Sequence, residues 1–407
     1  MGGAGPLAGY RVLELGSTVA GPFCGRLLAD FGAEVIKIEP HEGDAVRSMA
    51  KRFHEKSLYA ASIFRNKSLI ALDLRTPQGQ EIARNIAARC DVVVENFRPG
   101  ALEKWGLGYE QLSALNPRLV MIRISGYGQT GPYAQRPGYG VISEAMSGMR
   151  HITGDPDRPP ARVAVSLTDY ITGLYGALGG VLALLSRTQT GKGQLVDAAL
   201  YECAFSFMEP HVPAFEKLGL IANRAGSRLP DHVPNNLYAT RDEQFIHIVA
   251  ASDGMFKRLA TVMGRPELLD DPRFATGVAR AQHEDEIDDI VAAWTRTQDV
   301  AELDERLRAA EIPAGRIFTM ADIFSDPQYR ARGMLVQAPD DDLGTMTLPG
   351  IVPKLSETPG AIRWSGRRIG QDTRTVLAEI VQLSSAEIDA LEAAGVIACD
   401  RQVVNAS

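Results

Sequence analysis

The sequence predicts an α/β protein, with a doubly wound parallel sheet in a larger domain and a smaller α+β domain after it. Two observations carry that expectation. In the first half, short apolar runs recur with helical segments of about a dozen residues between them, the spacing of parallel β-α-β units. Around residues 221–236 the composition shifts, with Gly226, Pro230 and Pro234 close together, and the helices beyond are charged and amphipathic. A chain of 407 residues accommodates two or three domains and a sizeable core.

In order, Tyr10–Leu15 (YRVLEL) reads as the first strand, and Gly16–Pro22 is a turn into a helix over Phe23–Phe31 that stops at Gly32. Glu34–Ile38 (EVIKI) and Ser68–Leu74 (SLIALDL) are further strands. Thr76-Pro77 opens a helix over Gln78–Ala88, since the first turn tolerates a residue without an N–H. Asp91–Glu95 (DVVVE) is a strand, Asn96–Gly100 a turn and Leu119–Ile124 (LVMIRI) another strand. Ile171–Ser186 (ITGLYGALGGVLALLS) carries no charge; it is short for a membrane span and rich in glycine, which predicts a buried core helix. Gly191-Lys192-Gly193 turns the chain into a strand over Gln194–Ala198, and one long helix is expected over Leu200–Leu218. The smaller domain reads as a strand over Phe245–Ala250 and helices over Met255–Met263, Glu284–Thr295 and Val300–Ala310, before Ile312–Ala338 leads back out. A C-terminal segment, Thr345–Leu348 and then helices at Thr373–Val381 and Ser385–Ala394, either docks on the first domain or stands alone.

The net charge of −7, with no long basic run, argues against a nucleic-acid partner while leaving room for a local basic pocket. Cys24, Cys90, Cys203 and Cys399 form no CxxC pair and read as reduced thiols of a cytoplasmic protein, with no zinc or other metal site. MGGAGPLAG has neither the basic nor the apolar region of a signal peptide, and no Ser or Thr where a myristoylation signal needs one, so no membrane partner is expected. The seven scattered histidines form no HExxH and no serine triad. Gly126-Tyr-Gly128-Gln-Thr-Gly131 is a literal GxGxxG after a strand, but Pro132 follows where a helix should start, which favours a flexible loop beside a site over a dinucleotide fingerprint.

Lys37, Arg75, Arg98, Lys104 and Arg136 fall at strand ends or in the turns beyond them. In an open α/β sheet those ends line the ligand crevice, and cations there suit a phosphorylated ligand; the competing reading is solvated surface charge. Asp169 stands at the mouth of the apolar helix. Ser166-Leu-Thr-Asp169 matches a capping box, with Ser166 as N-cap and Asp169 in the first turn. Asp169 also fits a nucleophile: an aspartate ionises near pH ~3.9, so at neutral pH it needs no base to attack an activated acyl carbon such as a thioester. Local pattern leaves both readings open.

Several stretches resemble the class III, formyl-CoA-transferase-like CoA-transferases. They are PLAGYRVLELGSTVAGPFCGRLLADFGAEVIKIEP (6–40), RNKSLIALDLRTPQG (65–79), DVVVENFRPGALEKWGLGYEQL (91–112), NPRLVMIRISGYGQTGP (116–132), VSLTDYITGLYG (165–176) and KGQLVDAALYE (192–202). RPELLDDPRF (265–274) and AEIPAGRIFTMADIFSDPQ (310–328) are also similar to the family. The resemblance implies a large Rossmann-like domain built from both chain ends, 1–200 and 351–407, with linkers at 201–230 and 326–350 and a small domain at 231–325 inserted between them. It implies an interlocked homodimer, acyl-CoA and a carboxylic acid as substrates, and no permanently bound cofactor. It puts the nucleophile at Asp169, which would form a mixed anhydride and then an aspartyl-CoA thioester. It puts CoA contacts at Thr18, Val19, Ala20, Leu72, Arg75, Asn96, Phe97, Arg98 and Lys104, and the facing loop at Arg136, Gly138, Tyr139 and Gly140.

The chain departs from the formyl-CoA transferases in two places. It lacks their run of glycines, having only Gly226 and Gly254 near that point, and it has Gly140 where they carry an acid after the loop tyrosine. Oxalate and formate are therefore not expected; succinyl-CoA or other dicarboxylate and branched-acid partners are. The related acyl-CoA racemases are the main alternative, moving an α-proton between a loop histidine and the aspartate. Their loop reads G-H-D-x-N-Y, whereas Gly138-Tyr139-Gly140-Val141-Ile142-Ser143 puts Tyr139 at the histidine position. A CoA-binding paralogue without turnover is a third reading.

Overall fold

Residues 5–400 are described by a computed structural model; residues 1–4, part of the stretch read above for targeting signals, and residues 401–407 lie outside it. The chain forms two compact units, one of residues up to 149, 163–213 and from 329 onward, the other of 150–162 and 214–328.

Six strands of the first unit lie parallel: β1 (Arg11–Glu14), β2 (Glu34–Glu39), β3 (Lys67–Leu72), β4 (Val92–Glu95), β5 (Val120–Ser125) and β6 (Leu195–Ala199). Ile397–Ala398 from the far end of the chain pairs antiparallel with β3. The sheet runs terminal strand, β3, β2, β1, β4, β5, β6. The closing segments therefore dock on the first unit, an alternative the sequence left open.

Both faces of the sheet are covered, which is why its strands read as continuous apolar runs. Val12, Val35, Val92 and Ile122 pack with Cys24 and Leu28 of helix α1 (Ala20–Asp30) and with Ala177 and Leu184 of a later helix. Leu13, Ile36, Ile70, Val93 and Met121 face the opposite layer, with Ile82 and Ile86 of α3 (Pro77–Ala87) and the closing segments Val376–Val381 and Val396–Ile397. The short α2 (Leu58–Ile63) precedes β3. After β5 come α4 (Gly140–Met146) and the long α5 (Leu167–Thr190).

Helix α1 starts at Ala20 rather than Phe23, because Pro22 in a first turn has no intrahelical N–H bond to lose. The Thr76 hydroxyl accepts the Gly79 N–H at 3.0 Å and caps α3. On α5, Gly173, Gly176 and Gly180 sit against neighbours: a Cβ on them would stand 2.8 Å from Ala20 O, 3.2 Å from Ile122 Cγ2 and 2.6 Å from Ile122 Cδ1. The expected helix over Leu200–Leu218 is two, Leu200–Phe205 and His211–Leu218. Pro210 explains the break, since the residue before a proline is driven out of the helical region.

The second unit holds a three-stranded antiparallel sheet with Phe245–Val249 between Asn235–Ala239 and Ala314–Arg316. Helices Asp253–Met263, Glu284–Thr295 and Val300–Ala309 supply Leu259, Val291, Leu303 and Leu307 to its core. Gly154 bridges to Gly226, bringing 150–162 into this unit.

Candidate active site

β1 has β2 on one side and β4 on the other, so the sheet order reverses there. In such sheets ligands bind beyond the carboxyl ends of the strands at that point. The loop leaving β1 is clamped from both neighbours. The Ser17 N–H donates to Asn96 Oδ1 and Asn96 Nδ2 donates to Ser17 O, each at 2.8 Å. The Thr18 N–H donates to Asp44 Oδ1 at 3.0 Å, holding Thr18 at a left-handed φ of 69°. Glu95 Oε2 accepts the Phe97 N–H at 2.7 Å, while its other oxygen accepts from Arg123 at 2.6 Å.

These loops frame a cavity of about 250 Å³ lined by Ser17, Leu72, Arg75, Phe97 and Trp105, among others. Phe97 meets Trp105 edge-to-face at 5.4 Å between centroids. Leu72, Arg75 and Phe97 thus come together, and Asn96 holds the loop that carries Thr18, Val19 and Ala20. Val19 and Ala20 are buried at the start of α1, where no side chain caps the helix. Arg75 is exposed and donates to Asp73 at 2.8 Å, which holds that carboxyl below its ordinary range. Arg98 and Lys104 are exposed beside residues of the cavity wall.

Lys37 does not belong to that cationic rim. It is fully buried, lies 2.9 Å from Asp44 and 3.3 Å from Glu14, and donates to Gly16 O at 2.5 Å. Burial opposes its charge, but Asp44, Glu14 and Glu39 outweigh burial and raise its pKa. Lys67 shares Glu14 at 2.6 Å; for this second lysine burial dominates and pushes the ammonium down to about 8. Asp44 is the hinge of the cluster, accepting from Lys37, Thr18 and Val46, and the sequence reading did not single it out.

Asp169 lies in the first turn of α5. Ser166 stands at the N-cap position, but its side chain makes no capping bond, so the capping box is not formed. The carboxylate instead rests on the start of α4: a Cβ on Gly140 would stand 2.1 Å from Asp169 Oδ2. The Thr168 hydroxyl donates to Gly140 O at 2.8 Å and fixes that approach. Gly138 is pressed against Gly126, with a Cβ on Gly138 falling 2.5 Å from Gly126 Cα, so the glycine loop after β5 backs the same turn. Tyr139, between the two glycines, is 57% exposed, and Arg136 stacks on the Tyr133 ring at 3.6 Å. Gly140, Gly138 and Asp169 are therefore brought together, with Tyr139 beside them in the chain. Sequence reasoning missed Tyr59 of α2, whose hydroxyl lies 2.8 Å from that of Tyr170, and Phe23, which meets Tyr170 edge-to-face at 4.7 Å.

The profile of CoA-transferase family III matches residues 7–373. The chain belongs to that family. Relatives in that family act as CoA-transferases, and so does this enzyme. The CoA-transferase is 46% identical to succinyl-CoA–D-citramalate CoA-transferase of Chloroflexus aurantiacus, over 96% of this chain and 98% of the relative. It is 42% identical to the beta subunit of succinyl-CoA–L-malate CoA-transferase of the same organism, over 96% and 98%. Among solved structures it is similar to a CAIB/BAIF family protein from Brucella suis, with a TM-score of 0.83 and 34% identity, covering 93% of this chain and 100% of that one.

Proposed function

We propose that this CoA-transferase moves CoA from succinyl-CoA, or another dicarboxylate thioester, to a dicarboxylic or branched acid, with Asp169 as nucleophile. The observation that carries the proposal is the Asp169 carboxylate seated on Gly140 at the mouth of α5. The named activities of the relatives above support the substrate class.

In this reading an Asp169 oxygen adds to the thioester carbonyl, the C–S bond breaks and CoA leaves as thiolate, giving a mixed anhydride. The thiolate then adds to the Asp169 acyl carbon and expels the donor acid as carboxylate, leaving an aspartyl-CoA thioester. The acceptor carboxylate repeats both steps in reverse order and departs as acyl-CoA, regenerating Asp169. Every nucleophile is an anion and every leaving group departs as one, so no general base is required. Thr18, Val19, Ala20 and Asn96 would hold CoA at the loop after β1, Leu72 and Phe97 would take its adenine or pantetheine, and Arg75, Arg98 and Lys104 its phosphates. Arg136 and Tyr139 would face the bound acyl group. The CoA-binding unit would be Rossmann-like, and two copies would interlock.

Incubation with a panel of acyl-CoAs followed by hydroxylamine or borohydride should modify the Asp169 peptide, and Asp169→Ala should abolish transfer. Wild-type turnover in Asp169→Ala would refute the mechanism. α-Proton exchange in deuterated water without an acyl-enzyme would point to racemisation instead.

A further inference from the structure

The loop leaving β1 holds a backbone conformation that its own sequence opposes. Thr18 sits at a φ of 69°, in the left-handed region, where a β-branched side chain crowds the backbone. Such a residue persists only where its surroundings over-determine it, and such residues gather at ligand sites. The restraints on this one are specific. Asp44 Oδ1 accepts the Thr18 N–H at 3.0 Å. Asn96 clamps the Ser17 N–H and carbonyl, and Lys37 Nζ donates to Gly16 O. Gly16, Ser17 and Asp44 all line the cavity of about 250 Å³, so the restraint and the ligand space are built from the same residues.

Asp44 is itself immobilised. Its N–H donates to Glu39 Oε1 at 2.9 Å, and Arg47 holds the Glu39 carboxylate with a bond to each oxygen. Asp44 Oδ1 also accepts the Val46 N–H at 2.9 Å, while Oδ2 faces the buried Lys37 at 2.9 Å. Burial opposes the charge of Asp44, but Lys37 and the Val46 and Thr18 N–H groups outweigh it and lower the pKa, so at neutral pH the side chain only accepts. The acceptor that restrains Thr18 is therefore fixed before any ligand arrives.

We propose that Asp44 is a positioning residue for CoA: by holding Thr18 left-handed, it keeps the loop after β1 in the shape that receives the CoA part of the thioester. Without the Asp44 oxygen, Thr18 relaxes toward negative φ and the cavity wall at Gly16 and Ser17 moves with it. Binding must then restore the strained turn, whereas a loop already in its bound shape avoids that ordering cost. The proposal rests on the reading of this cavity as the CoA site.

The test measures the dissociation constant of CoA by titration calorimetry in a double-mutant cycle on the full chain. Asp44→Ala should raise Kd about tenfold, within the range by which a strained backbone conformation is disfavoured. Thr18→Gly supplies a residue that takes positive φ without restraint. In that background Asp44→Ala should raise Kd by no more than about threefold. A role for Asp44 in stability alone would give the same loss in both backgrounds. Asp44→Asn, which keeps the oxygen that accepts the Thr18 N–H, should recover all but about threefold of the loss. The inference is overturned if Asp44→Ala binds CoA within about threefold of wild type, or if its loss is equal in the two backgrounds. Should Asp44→Ala not fold alone, Thr18→Gly must restore its folding, and an unfolded double variant also overturns the inference. Phe97→Ala, which strips an aromatic wall from the cavity, separates the two readings. If it leaves Kd within about threefold, the CoA site is elsewhere and this inference falls with it. If it weakens CoA and Asp44→Ala does not, only this inference falls.

Discussion

At Gly140 the missing side chain is itself part of the site, because the Asp169 carboxylate occupies the space a Cβ would need. Nothing local in the sequence announces that contact. A serine, two residues and an aspartate describe a capping box equally well, and the nucleophilic reading came from matches elsewhere in the chain. Tyr59 was illegible because its partner is 111 residues away. Lys37 was misread because position in a strand gives the face and not the neighbour: it stands directly opposite Glu14 in the parallel ladder, with Asp44 closing from the next loop. Asp44 carries a pH prediction. Burial would raise its pKa, but Lys37 and the Val46 and Thr18 N–H groups overcome burial and lower it. A depressed folded pKa adds stability above the unfolded value of about 3.9 that is lost as pH falls through the folded one. Asp44→Asn should therefore cost about 3–5 kcal/mol near neutral pH, the scale of breaking a buried ion pair, and the gap from wild type should shrink below pH ~4. Urea unfolding from pH 3 to 7 measures both.

Helix α5 shows how an element's composition encodes its packing. Its charge-free, glycine-rich run predicted a buried core helix. The stripe Gly173, Gly176, Gly180 lets the helix lie directly on α1 and β5. Which neighbours require the glycines could not be read, because they come from strands and helices more than 40 residues away. Gly180→Val should destabilise by about 1–3 kcal/mol, since its methyls meet Ile122 Cδ1 in a close-packed interior. A melting curve checks this, and Gly254→Ala, where a Cβ meets nothing within 4 Å, is the control.

At the scale of the molecule, the alternation of strands and helices was enough to predict the parallel sheet, since its period reflects burial on both faces. The assignment of 150–162 to the second unit was not legible, because a single Gly154–Gly226 bridge holds no pattern a sequence can display. The other face of α5 leaves Leu174, Leu178, Leu182 and Leu185 exposed, the last two at 54% and 59%. A row of leucines on a helix already buried along its opposite face is more apolar surface than water-facing helices carry. The homodimer proposed above accounts for it. Leu182→Glu should shift the mass measured by light scattering from twice the 44.0 kDa chain toward one, and an unchanged mass would remove this surface from the interface.

The antiparallel pairing of Ile397 with Leu72 has a consequence for how the enzyme is made. Leu72 lines the cavity, and the strand carrying it is an open edge until Ile397 arrives. On the ribosome, Leu72 emerges long before the strand that covers this edge. A nascent or truncated chain that stops short of Ile397 carries the cavity-lining Leu72 on an unpaired edge strand, so synthesis must pass Ile397 before this side of the sheet is closed.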